Sequence, residues 1–169
     1  MTALNTNARI AVIGAGAMGA GIAQVAAQAG HPVLLLDNRP GAAAQAIDGI
    51  DRQLGKRVEN GKLSAEARTA TIARLQAVEA IEALAGCELI IEAIVENLEV
   101  KRALFRQLEG ICGEHCILAS NTSSLSITSI AAQLDHPNRL LGLHFFNPAP
   151  VMALVEIVSG LASDPALAE

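Results

Sequence analysis

The chain has no tryptophan and no tyrosine, and only three phenylalanines among its 169 residues. Any core must therefore be filled by Ala, Ile, Leu and Val, and with 51% of the residues hydrophobic there are enough of them to build one. Positive charge is also short. Twelve Lys and Arg stand against seventeen Asp and Glu, a net charge of −5. That balance argues against a general nucleic-acid or membrane-surface binder, while leaving room for a local basic patch that holds a phosphate ligand. No apolar run is long enough to span a membrane, because glycines and polar residues interrupt each of them. The sequence has no internal repeat and no low-complexity linker. Length and composition together describe one domain of ordinary size.

Cysteine is scarce as well. Cys87, Cys112 and Cys116 are odd in number and lack a framework spacing, which fits reduced thiols and a cytoplasmic location. Cys112-x-x-His115-Cys116 has the look of half a metal site, but no second ligand pair accompanies it, so no metal is expected. His31, His115 and His136 fall in turns or at helix ends, where solvent exposure is expected.

A glycine fingerprint opens the chain: Gly14-Ala15-Gly16-Ala17-Met18-Gly19. A short β-branched run, Arg9 to Ile13, precedes it and reads as a strand. A helix is expected over 17–29, stopped by Gly30, and a buried strand over 32–36 ends at Asp37. Arg9 and the small apolar residues up to Ala23 also imitate a secretory signal. Asp37 lies at the distance that a strand–turn–helix–strand unit requires, which favours that unit. In such a unit the first glycine permits the tight turn, the second lets a pyrophosphate approach the backbone, and the third lets the helix pack on the sheet. The helix N-terminus then offers free N–H groups and partial positive charge to the phosphates. Asp37 can accept from both ribose hydroxyls and would repel a 2′-phosphate, so NAD is favoured over NADP, with Arg39 softening the preference.

Beyond Asp37, a helical and polar-flanked pattern runs from Pro40 to about Leu75. Gly61 breaks it within a hairpin tip at 59–63, and a second helix starts at Ser64. Strands are expected at 87–93, 116–119, 140–145 and 154–158, and helices at 96–111 and 126–134. Residues 159–169 start no clear element. Alternating strands and helices with short loops make this an α/β chain of the Rossmann type: a doubly wound, mostly parallel sheet with an inserted helical hairpin. Taken alone, Glu96 and Lys101 read as an exposed i,i+5 pair at a helix end.

The segment Leu143-His144-Phe145-Phe146-Asn147-Pro148, with Glu156 nine positions after Asn147, places an imidazole, an amide and a carboxylate near the ends of two apolar runs. Oxidation of a carbinol needs a base for the hydroxyl proton, and imidazole is suited to that near pH 7. A carboxylate on its other ring nitrogen would fix the tautomer and stabilise the imidazolium, provided the two strands are adjacent. Ser120-Asn121-Thr122-Ser123-Ser124 follows a strand, at the carboxyl edge where open α/β sheets bind ligands. Its blander role is a helix cap made by Ser124 or Ser126.

Taken together, these segments resemble the L-3-hydroxyacyl-CoA dehydrogenase family. The likeness rests on 14–19 with Ile22-Ala23, on Ile91-Glu92-Ala93-Ile94-Val95-Glu96 with Lys101, on 120–124, and on 144–148 through Val151-Met152 to Glu156. It covers nearly the whole chain. The resemblance implies NAD-dependent oxidation of a (3S)-3-hydroxyacyl-CoA to the 3-ketoacyl-CoA, and its reversal. It implies His144 as general base, Glu156 as the group that orients it, and Ser123 and Asn147 lining the reacting centre against substrate and cofactor. Cofactor contacts are implied for Gly14 through Gly19, Asp37, Ala93, Glu96, Lys101, Asn121, Ser123 and Asn147. Coenzyme A would lie by the helical hairpin, where Lys56, Arg57 and Lys62 supply positive charge, with Lys56 a candidate contact. It further implies that 1–169 is an NAD-binding domain whose last ten or so residues lead towards a helical, homodimer-forming second domain, absent from this sequence, so that the chain alone is expected to bind NAD but to be only weakly active. The partners expected are an acyl-CoA substrate and a second copy, with no nucleic acid and no membrane.

Overall fold

Three four-residue runs, Ile10–Ile13 (β1), Val33–Leu36 (β2) and Leu89–Glu92 (β4), are buried along their whole length and form the middle of a sheet. The computed structural model describes residues 4–5 and 7–168; residues 1–3, 6 and 169 of the expected domain lie outside it. Leu75–Val78 (β3) pairs with β2 at one side of the sheet, and Ile117–Ser120 (β5) and Leu140–Phe145 (β6) follow β4 on the other. Val155–Ser159 (β7) closes the far edge. The order is β3-β2-β1-β4-β5-β6-β7, parallel throughout except for the antiparallel β6–β7 pair. This is the expected doubly wound sheet, and its strand order reverses between β1 and β4, where such sheets hold ligands.

Side chains alternate across each strand, so the two faces carry separate cores. Ile10, Val12, Leu35 and Ile91 face the side covered by helix α1 (Ala17–Gln28) and helix α2 (Ala42–Glu59). Ala11, Ile13, Leu34 and Ile90 face the other side, with Phe105 and Leu108 of helix α4 (Leu98–Ile111) and Ile127 and Ile130 of helix α5 (Ile127–Ala131). Phe105, Leu108 and Ile130 are fully buried. With aromatics this few, aliphatic packing supplies nearly all of the core.

The hairpin is α2 followed by helix α3 (Ala65–Ile72), with Gly61 at φ 66° in its tip. Ser64 caps α3 by accepting from the Ala67 amide at 3.1 Å. Arg68 grips Asp51 through two contacts of 2.7 Å, tying α3 to α2. Asn97 caps α4 by accepting from the Glu99 and Val100 amides, which starts that helix at Leu98 and not at Glu96. Ser126 caps α5, as the blander reading of the serine-rich loop expects.

Two expectations about elements need correction. The sequence reading carries helix to about Leu75 and assigns no strand at 75–78, where β3 lies. Only Leu75 of that strand is buried, so the alternation that marks a strand is weak there and its pairing with β2 decides. Residues 160–168 are also more ordered than the sequence suggests. Pro165–Leu167 forms a 3-10 turn, and the Ser163 hydroxyl donates to the Leu140 carbonyl at 2.5 Å. His31 departs from its expected exposure too: it is half-buried, with Nδ1 3.1 Å from the Ala8 carbonyl. Among the described residues no helix is long and apolar enough to cross a membrane.

Candidate active site

The carboxyl ends of β1, β2, β4, β5 and β6 bring most of the expected residues to one edge. β1 runs into Gly14, which has φ 103° and would place a side chain 2.5 Å from the Ala93 carbonyl oxygen. A Cβ on Gly19 would lie 1.7 Å from the Gly14 carbonyl oxygen. Packing inside the protein therefore requires glycine at both positions. Gly16 is different. Its φ of −70° suits any residue, and a Cβ there would meet nothing within 4 Å. The protein alone does not require glycine at 16, but a ligand approaching the backbone would.

Gly16 is also the N-cap of α1, and no side chain caps that helix. Its first amides remain free to donate, and their dipole favours an anion. Asp37, at the end of β2, accepts from the Ala15 amide at 2.7 Å and from the Arg39 amide and Nε at 3.0 and 3.1 Å. Burial raises the Asp37 carboxyl, but the Arg39 side chain and the two amides outweigh it and hold it below the usual carboxylate range. An ionised acid at the end of the adjacent strand, bonded to the glycine turn itself, beside uncapped helix amides and open space over Gly16, fits a dinucleotide: ribose hydroxyls on the acid, pyrophosphate on the helix.

The second half of the site is built on β6 and β7. Their antiparallel register sets His144 directly opposite Glu156. His144 Nδ1 lies 2.9 Å from Glu156 Oε2. An ionised carboxylate only accepts, so Nδ1–H is the donor, and in the neutral ring Nε2 then carries the lone pair. Phe146 packs against the imidazole, ring centroids 4.7 Å apart. His144, Glu156, Ser123, Ser124 and Ile127 line one cavity of about 160 Å³.

The expected site residues do not all share that cavity. Asn147 lines a separate groove of about 350 Å³ with Ala15, Gly16, Ala17, Gln24 and Gln53, on the α1–α2 side of the glycine turn. Asn121 accepts from the Phe145 amide at 2.8 Å and so ties the end of β6 to the loop after β5. Met18 is half-buried against the α1-side core, and the Ala93 carbonyl lies beneath Gly14. Lys56 and Arg57 end α2 and are exposed, as is Lys62 in the hairpin tip. Among the described residues no group of three or more His, Cys, Asp or Glu is placed to hold a metal.

Of the pair that their spacing suggests is exposed, Glu96 is exposed but Lys101 is buried. Lys101 is 1% exposed, with Nζ 2.5 Å from Glu92 Oε1 and 3.3 Å from Glu96 Oε2. Glu96 Oε1 accepts from the Thr122 hydroxyl, from the Ser123 and Ser124 amides at 3.1 and 3.2 Å, and from the Ser124 hydroxyl at 3.1 Å. Burial raises the Glu96 carboxyl, but Thr122, Lys101 and Ser124 override it and draw it down to about 2. A depressed carboxyl stabilises the fold fully above its unfolded value, near 4.5, and loses that contribution as pH falls through about 2. Acid unfolding of the wild type and of Glu96→Gln should therefore differ above pH 4.5 and converge as pH approaches 2. Curves that stay separated there would show that Glu96 ionisation does not hold the loop.

Sequence reasoning missed Glu92 as a site-supporting residue. The available signal was a lone acid inside the apolar run Leu89-Ile90-Ile91-Glu92. A charge in a central strand needs a buried partner.

The sequence profile described as "3-hydroxyacyl-CoA dehydrogenase, NAD binding domain" matches residues 9–169. The chain belongs to the 3-hydroxyacyl-CoA dehydrogenase family, as its NAD-binding domain. It is 58% identical over 154 residues to the 3-hydroxyadipyl-CoA dehydrogenase of Escherichia coli, covering 91% of this chain and 32% of that protein. It is 45% identical over 155 residues to a probable 3-hydroxybutyryl-CoA dehydrogenase of Bacillus subtilis, covering 92% and 54%. A crystal structure of an Escherichia coli 3-hydroxybutyryl-CoA dehydrogenase superposes with a TM-score of 0.94 at 55% identity, over 97% of this chain and 34% of that one. The chain thus spans about a third to a half of the length of these relatives. A Mycobacterium tuberculosis 3-hydroxyisobutyrate dehydrogenase, at 18% identity and a TM-score of 0.57, shares the fold only.

Proposed function

We propose that the chain is the catalytic, cofactor-binding part of an enzyme that oxidises (3S)-3-hydroxyacyl-CoA to 3-ketoacyl-CoA and catalyses the reverse reaction. The observation that carries this reading is the His144–Glu156 pair, 2.9 Å apart and in register, facing a cavity that Ser123 also lines. A domain that only bound NAD would have no use for an oriented imidazole beside the ligand edge. NAD, when bound across 14–19 and Asp37, supplies the hydride acceptor.

His144 Nε2 takes the proton of the substrate hydroxyl as the carbon–hydrogen bond breaks, and returns it in reduction. Glu156 holds the ring by Nδ1 and stabilises the imidazolium that forms. The Ser123 hydroxyl donates to the substrate oxygen. Asn147, from the neighbouring groove, reaches towards the reacting centre to contact the cofactor and the substrate. Lys56, with Arg57 and Lys62, offers positive charge to the phosphates of coenzyme A. Residues 1–169 act as one NAD-binding domain, with about 160–169 leading towards the helical, dimer-forming domain that the resemblance implies. Three free, buried cysteines suit a reducing compartment such as the cytoplasm.

The test is substrate class. The reading requires turnover of a 3-hydroxyacyl-CoA thioester with NAD and little or none of the free 3-hydroxy acid. Preference for the free acid would point to a 3-hydroxyacid dehydrogenase of the kind that uses a lysine base. Lys101, buried against two carboxylates, is poorly placed to be one.

A further inference from the structure

We propose that Glu92 is a positioning residue for this reaction: from beneath the sheet edge it holds Ser120 and Lys101, and through Lys101 it sets Glu96 as the clamp on residues 122–124 beside His144. The inference rests on the dehydrogenase reading for its consequence in turnover, but not for its geometry.

Glu92 ends β4 at 0% exposure, in register with Ile13 of β1 and Ser120 of β5. Its Oε1 accepts from Lys101 Nζ at 2.5 Å and from the Ile94 amide at 2.7 Å, and its Oε2 accepts from the Ser120 hydroxyl at 2.7 Å. Burying such a pair requires desolvating both ions, and well-packed apolar residues commonly fill the same volume with equal or better stability. Packing alone therefore gives no reason for a carboxylate here.

Its contacts give one. The single ammonium of Lys101 stands between two carboxylates, 2.5 Å from Glu92 and 3.3 Å from Glu96. Because Glu92 takes the closer contact, Glu96 keeps one oxygen for the Thr122 hydroxyl and the Ser123 and Ser124 amides. Without the Glu92 charge, the ammonium is drawn wholly to Glu96, and Glu96 Oε1 becomes a weaker acceptor for those amides. The Ile94 contact fixes a second part of the site, since the Ala93 carbonyl next to it lies against Gly14. One buried side chain thus braces both the serine loop and the floor of the glycine turn.

The experiment is Glu92→Gln in this chain, read by amide nitrogen–proton spectra and by turnover. Selective movement of the Ile94, Ser123 and Ser124 amides is expected, with the Ala67 amide of the distant hairpin unmoved. Turnover should fall by about 10–100-fold, the usual effect of a misplacement near 1 Å, with any loss of NADH affinity smaller than that. Ser123 and Ser124 amides at their wild-type positions would overturn the proposal, as would a loss of turnover no larger than the unfolded fraction. If Glu92→Gln does not fold, Glu92→Gln with Lys101→Met removes the buried ammonium that has lost its nearer carboxylate and also strips Glu96 of that partner. The same two amides must then move, and their failure to do so would overturn the proposal equally. A wild type that turns over no hydroxyacyl thioester would bear on the functional reading alone, because the amide positions still decide the role of Glu92.

Discussion

Alanine in place of His144 should lower turnover of a 3-hydroxyacyl-CoA by roughly 10²–10⁴-fold, the usual worth of a lost acid–base group, and leave NADH affinity nearly unchanged. The expectation follows from where the residue stands. His144 is on β6, its Nδ1 is engaged by Glu156, and its free face is turned to the cavity shared with Ser123, whereas the cofactor-fitting groups stand on β1, β2 and α1. Glu156→Gln should cost less than His144→Ala, since an amide can still accept from Nδ1 but stabilises the imidazolium poorly. Steady-state rates set beside NADH titrations of each variant would check both. Turnover that survives His144→Ala would remove the imidazole from the mechanism.

The second large effect separates two glycines of one motif. Gly19→Ala should destabilise the fold by at least about 3 kcal/mol, the upper part of the overpacking range. Its Cβ would lie 1.7 Å from a backbone oxygen that belongs to the Gly14 turn and cannot move away. A fall in melting temperature of roughly 6 °C or more would report it. Gly16→Ala meets nothing within 4 Å and keeps an ordinary φ of −70°, so its melting temperature should stay near wild type. Its methyl nonetheless stands over uncapped helix amides, where a pyrophosphate would lie, and NADH affinity should fall about tenfold or more, about 1.4 kcal/mol. Thermal melts and NADH titrations of the two variants, run together, would show one glycine serving the fold and the other serving the ligand. Equal melting losses for both would mean that Gly16 is structural as well.

Much of this was legible in the sequence, for identifiable reasons. β1, α1 and β2 follow one another with short turns, and their buried strands are short continuous apolar runs bounded by turn residues, which length and flanks identify. The roles of Gly14 and Gly19 follow from spacing alone. β6 and β7 could be found as strands, but that His144 faces Glu156 depends on their pairing register, which is tertiary information. β3 was missed because an edge strand with one buried residue carries almost no alternation. The burial of Lys101 was missed because its nearer partner, Glu92, lies nine positions upstream in a strand, not on the same helix. Asn147 follows His144 by three residues, yet the loop turns it into a different groove. In each miss, a contact between elements overrode a local pattern.

The most direct test of the central claim, that this chain is an NAD-binding domain with Asp37 reading the ribose, is titration with NADH and separately with NADPH, followed by the cofactor's own emission. With no tryptophan or tyrosine, the protein adds almost no background. The account predicts saturable NADH binding and NADPH binding at least about tenfold weaker, the effect of roughly 1.4 kcal/mol of like-charge repulsion at Asp37. Binding of neither cofactor, or NADPH bound as tightly as NADH, would contradict it.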